Sequence, residues 1–152
     1  MTAQTVAQNP LVKTRLIMYH KTPASGLTKF LRKDNKTICM FDALPALSVV
    51  LDDDEQPESE KVLSHPSPLI KQAADWLGMQ QDDFELESEF CEKVDVAEGP
   101  VTVYLVRFTT IDPPEAYADK VGGKFITLMD AIGLPPAEME LLRRAYKIIM
   151  AG

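Results

Sequence analysis

A chain of 152 residues that is 45% hydrophobic and 26% charged carries enough apolar side chain for one ordinary domain core and lacks the composition of a disordered chain. Its 23 acidic and 16 basic residues leave a formal net charge of −7. That balance excludes a general nucleic-acid binder, whose affinity comes from Lys and Arg neutralising phosphates, and an anionic membrane surface would repel it.

Residues 1–10 read as a flexible tail and 11–152 as a single domain. Leu11 to His20 is predicted as a strand, with Val12, Thr14, Leu16 and Met18 on one face and Lys13, Arg15, Ile17 and Tyr19 on the other. Thr22-Pro23-Ala24-Ser25-Gly26 is a turn. Leu27 to Leu31 follows as an edge-like strand, then two short apolar runs at Thr37–Phe41 and Leu47–Leu51. Residues 52–68 form an acidic loop with Asp52, Asp53, Asp54, Glu55, Glu58 and Glu60 and no apolar periodicity.

A helix is expected from Ser67. Ser67 suits the N-cap and Pro68 the first helical position, Leu69, Ala73, Trp76 and Leu77 recur at helical spacing, and Gly78 stops it. Phe84 to Phe90 alternates as a strand, with Phe84, Leu86, Ser88 and Phe90 on one face and Glu85, Glu87 and Glu89 on the wet one. Val101 to Phe108 reads as a central strand buried on both sides. Asp112-Pro113-Pro114 breaks the chain. Thr127 to Ile132 reads as a short helix closed by Gly133, and Pro135-Pro136 opens a final helix, Ala137 to Met150, whose Met139, Leu142, Ala145, Tyr146 and Ile149 share a face. This order predicts an α/β (α+β) fold, a mixed β-sheet packed between helices.

The start of the chain lacks a basic region followed by an apolar one, and the best apolar run, Ala43 to Leu51, is too short to span a membrane. A cytoplasmic protein is the expectation. Cys39 and Cys91 belong to no metal-binding pair and read as small buried hydrophobes. The basic stretch Val12 to Lys36 holds Lys13, Arg15, Lys21, Lys29, Arg32, Lys33 and Lys36 against Asp34 alone. It reads as solvated strand and loop, or as a locally positive face that suits a phosphate-bearing ligand. Gly122-Gly123-Lys124 reads as a turn before Phe125, with phosphate cradling as the alternative. His20 and His65 stand apart, and Ser64, His65 and Ser67 lack a nucleophile elbow.

Three local anchors carry a family resemblance: Ala73-Ala74-Asp75-Trp76-Leu77-Gly78-Met79 before the strand at Phe84, the strand Val101 to Phe108, and Phe125 to Ala131 followed by Leu141 to Tyr146. With the element order, they resemble the Nudix fold family over roughly Leu11 to Met150, which implies an α/β/α sandwich. The family's box, G-x5-E-x7-R-E-U-x-E-E-x-G-U with U apolar, sets acids on a helix to bind magnesium for diphosphate hydrolysis. Anchored on Gly78 and Met79, it places Lys71 and Gln72 at the Arg-Glu pair, Asp75 and Trp76 at the Glu-Glu pair, Leu63 at the upstream Glu and Pro57 at the Gly. Only Asp75 keeps a carboxylate, so the box is degenerate.

The resemblance therefore implies a Nudix-like protein that lacks standard pyrophosphohydrolase activity and binds a small molecule or a protein partner, with no cofactor. The alternative is a diverged hydrolase of nucleoside diphosphate-linked substrates that holds magnesium or manganese on Asp75 and Glu58, or Glu60. A third reading is an interaction domain that docks through the acidic loop.

Overall fold

The computed structural model describes residues 14–40, 43–45, 47–52, 67–97 and 99–151. Strand β1 (Thr14–Lys21) has every residue from Thr14 to His20 buried. Such a strand needs apolar cover on both faces and a hydrogen-bonded neighbour on both edges, and β1 has all four. Strand β5 (Gly99–Phe108) runs parallel to it, with Leu16 opposite Tyr104 and Tyr19 opposite Arg107. Strand β2 (Thr28–Lys33) runs antiparallel along its other edge.

Alternation sends the side chains of β1 into two cores. Leu16 and Met18 join Leu69, Ala73 and Leu77 of helix α1 (Ser67–Leu77), whereas Ile17 and Tyr19 join Leu141, Leu142, Ala145 and Ile149 of helix α3 (Pro136–Ala151). Each of the fully buried aliphatic side chains contributes roughly 1.5–3 kcal/mol relative to exposure. The remaining strands are β3 (Val49–Val50), β4 (Phe84–Val96) and β6 (Gly123–Ile126), in the order β3-β4-β5-β1-β2-β6. Every neighbouring pair is antiparallel except β1 with β5. The short helix α2 (Glu115–Lys120) lies on the α1 side, where Ala118 enters the same core. The expected mixed sheet packed between helices is the observed architecture.

Several local expectations need correction. Strand β2 is interior, because β6 pairs with it from Phe30–Ile126 to Lys33–Gly123. The glycine pair hid β6: Gly122, at φ 76°, makes the turn, and Gly123 is already in the strand, where a Cβ would lie 2.9 Å from Leu31 Cδ1. The run at Thr37 makes only isolated bridges, Lys33–Thr37 and Leu16–Met40, and Phe41 lies outside the described residues. Of the expected helix Thr127–Ile132, only a 3-10 turn at Met129–Ala131 forms. The Asp130 carboxylate accepts from the Thr127 hydroxyl at 3.1 Å and amide at 3.4 Å, a local closure that competes with helix propagation. Helix α2 was not foreseen, since it follows Pro113-Pro114 and runs only six residues. The acidic loop at 52–68 falls mostly on residues 53–66, which lie outside the described ones.

Two polar groups tie α3 to the sheet. Glu138, fully buried at the start of α3, accepts from the Thr37 hydroxyl at 2.6 Å and the Ile38 amide at 3.0 Å, and the Thr37 hydroxyl accepts from the Cys39 amide at 2.9 Å. Residues 37–40 have few ladder bonds, and Glu138 and Thr37 supply the missing acceptors. Arg144, a turn and a half along α3, donates at 2.7 Å to each of Glu140, Glu92 and Asp52 and at 2.9 Å to the Leu51 carbonyl. The bond from Arg143 first, opposed by burial and then reinforced by the bond from Arg144, holds the Glu140 carboxyl down at about 2.

Glu138→Ala is expected to destabilise the protein by about 2–5 kcal/mol, because it strands a buried amide and a buried hydroxyl. Glu138→Gln, which keeps a carbonyl acceptor, should cost less. Urea denaturation of the two variants checks the order.

Candidate functional site

Asp75, the carboxylate expected to hold metal, sits on the exposed face of α1. Its Oδ2 lies 3.1 Å from Lys71 Nζ one turn earlier, with both side chains more than half exposed. No second acid stands on α1, and among the described residues no group of three His, Cys, Asp or Glu is placed to hold a metal ion. Glu58 and Glu60 lie outside the described residues. A hard divalent cation takes six or more oxygens, and the described residues around Asp75 do not fit one. Trp76, which falls at the other Glu position of the box, is half-buried against the α1-side core.

The polar groups that do converge lie elsewhere, at the carboxyl ends of the parallel pair β1 and β5. This is the place where open α/β sheets most often receive ligands. Strand β4 sets up the geometry. Its pairing with β5 is regular through Leu86–Val106 and resumes at Cys91–Tyr104, so Glu87 to Phe90 face only Leu105. This bulge breaks the expected alternation. Phe84 and Leu86 pack on the α1 side and Phe90 on the α3 side, although strict alternation puts all three on one face. Bulges re-aim side chains in this way and are over-represented beside functional sites.

The result is a cavity of about 370 Å³ lined by Tyr19, Lys21, Glu85, Glu87 and Arg107, with Ile148 and Ile149 of α3 as its apolar wall. The Tyr19 phenol, 2% exposed, donates to a Glu87 carboxylate oxygen. Burial first, and the Glu87 carboxylate second, push its pKa well above the ordinary tyrosine value. It is therefore a fixed donor at neutral pH. Arg107 donates to Glu85 at 2.8 Å, across the β4–β5 pair. Lys21 donates at 3.4 Å to the Ile149 carbonyl in the last turn of α3, where the helix dipole favours a cation. Arg107 and Lys21 keep further N–H donors, and Glu87 has acceptor capacity beyond the Tyr19 bond. A small polar molecule with both donors and acceptors suits this lining.

Sequence reading placed Tyr19 on the correct face of β1 and gave Glu87 to solvent. Glu87 shares the Tyr19 side of the sheet with Glu85 by alternation, and the bulge that follows it is announced by no turn residue or glycine in Glu87-Ser88-Glu89. His20 is fully buried, and its Nε2 lies 2.8 Å from the Thr110 carbonyl, so that nitrogen carries the proton. His65 and Ser64 lie outside the described residues. Cys39 and Cys91 form no disulfide with each other. Burial, and then the Glu138 charge, push the Cys39 thiol up, which makes it inert.

No family model matches the chain, and no curated protein matches it in sequence. The solved structure of C. elegans Ap4A hydrolase aligns with 90% of this chain and 96% of its own, with a TM-score of 0.48 and 17% identity. At that identity the likeness concerns fold alone. No helix among the described residues is long and apolar enough to cross a membrane.

Absorbance titration at alkaline pH is expected to reveal a tyrosine that keeps its proton above the ordinary value of 10.0. That step should vanish in Tyr19→Phe and move down in Glu87→Gln, which removes the neighbouring negative charge.

Proposed function

We propose that this chain is a Nudix-like domain that binds a small polar molecule, in the cavity at the carboxyl ends of β1 and β5, without the family's standard metal-dependent pyrophosphohydrolase chemistry. One observation carries the second half of this reading: α1 offers a single carboxylate, Asp75, and that carboxylate is ion-paired to Lys71. Diphosphate hydrolysis of the standard kind needs a divalent ion to neutralise the substrate and lower the pKa of the attacking water. The described residues supply neither the oxygen count nor the convergence that such an ion needs.

The tyrosine–glutamate pair and the bound ends of Arg107 and Lys21 support the first half. All are held by neighbours on different strands or on α3, so the lining is preformed rather than assembled on binding. A fold can persist while the chemistry once built on it is lost, because function belongs to the site.

Calorimetric titration of magnesium and then manganese, with and without a panel of nucleoside diphosphate conjugates, tests this reading when phosphate and mononucleotide release are assayed in the same samples. The expected result is no specific metal binding and no release. Metal-dependent release that disappears in Asp75→Ala would contradict it and would favour a diverged hydrolase with ligands drawn from Glu58 or Glu60.

A further inference from the structure

We propose a second binding site, for the phosphate group of a phosphorylated polyol such as a sugar phosphate, at the outer edge of the sheet where β2 and β6 meet α2. Two stretches singled out in the sequence, the basic run through Lys29 and Arg32 and the Gly122-Gly123-Lys124 turn, become adjacent there because β2 pairs with β6. Lys29 and Lys124 line one cavity of about 560 Å³, a volume suited to a small ligand, with Gly123 and the buried Phe125 in its wall.

Neither lysine has a carboxylate within ion-pair distance among the described residues. A third cation, Arg32, leaves the same strand as Lys29 on the opposite face, since Phe30 packs on the α3 side and Leu31 on the α1 side. Arg32 stands directly across from Lys124 in the antiparallel ladder, a like-charge pairing that is destabilising unless an anion lies nearby. The Arg32 guanidinium makes one long bond, 3.4 Å to the Asp130 carbonyl, and its buried Nε has no partner. The nearest acid on the adjoining turn, Asp130, is turned toward Thr127. Lys29 and Lys124 thus bring two cations without an ion pair among the described residues to one cavity of a chain whose net charge is −7.

The far wall decides the rest of the ligand. Glu115 and Asp119 of α2 line the same cavity, and neither is ion-paired among the described residues. Carboxylates accept hydrogen bonds from hydroxyl groups and repel further negative charge. A ligand with phosphate at one end and hydroxyls at the other satisfies both walls. The site is distinct from the strand-end cavity and from Asp75, and it needs no metal.

Calorimetry of the full chain with ribose 5-phosphate and with ribose tests the assignment. Saturable binding of ribose 5-phosphate is expected, weaker at higher salt, and lowered roughly ten-fold or more in Lys29→Gln and in Lys124→Gln, because each removes a charge-assisted bond to the phosphate. Both variants should keep the wild-type circular dichroism and melting temperature, since both side chains reach solvent. Asp75→Ala should bind as the wild type does, which separates this test from that of metal chemistry. Absence of saturable ribose 5-phosphate binding, wild-type affinity in both lysine variants, or ribose binding as tightly as its phosphate would overturn the proposal.

Discussion

A strand buried on both faces can direct its backbone hydrogen bonds only to its neighbours, and its side chains only to two separate cores. Strand β1 is under that constraint along nearly its whole length, and the rest of the molecule is arranged around it. Its parallel pairing with β5 forces the chain to return to the same end of the sheet before β5 begins, and the passage through α1 and β4 makes that crossover. Its two faces recruit α1 on one side and α3 on the other. Its carboxyl end delivers Tyr19 and Lys21 to the same place as Arg107 of β5, so the strand-end cavity follows from the same pairing that organises the core.

Much of this was legible in the sequence because the strongest elements have strong periodic signals. The alternation in Thr14–Lys21 and Val101–Phe108, the Ser67-Pro68 start and Gly78 stop of α1, and the apolar face after Pro135-Pro136 each follow from local sterics and burial. Weaker pieces were lost to non-local effects. Strand β6 is four residues long and opens with a glycine that reads as turn, and only its pairing with β2 makes it a strand. The burial of Glu138 depends on the Thr37 hydroxyl and the Ile38 amide a hundred residues away, which no local pattern announces. The bulge in β4 moved Phe90 from the α1 side to the α3 side, and a two-residue repeat cannot announce a register shift of that size. The candidate site was therefore far less legible than the fold, since its residues meet across three strands and a helix.

Electrostatics separates the molecule into regions with different capacities. The acids nearest α3 are consumed by Arg144, which gathers Asp52, Glu92 and Glu140 around one guanidinium. In Arg144 itself, burial opposes the charge, and the bonds from Glu140, Glu92 and Asp52 outweigh it and hold it protonated. The acid on α1 is paired with Lys71. Lys29 and Lys124, which make no ion pair among the described residues, line the cavity at the β2–β6 edge instead. An arrangement built for metal-assisted attack on a diphosphate concentrates carboxylates on one helix face, and here the described carboxylates are dispersed, with a single one on α1.

We propose that α1 forms no metal site, and paramagnetic broadening of amide signals reads this at residue resolution. Manganese titrated into the isotope-labelled chain, followed at the amides of Leu69 to Met79, is predicted to produce no saturable, localised loss of signal. Saturable broadening centred on Asp75 at substoichiometric manganese would contradict the account and return the chain to the metal-dependent hydrolases.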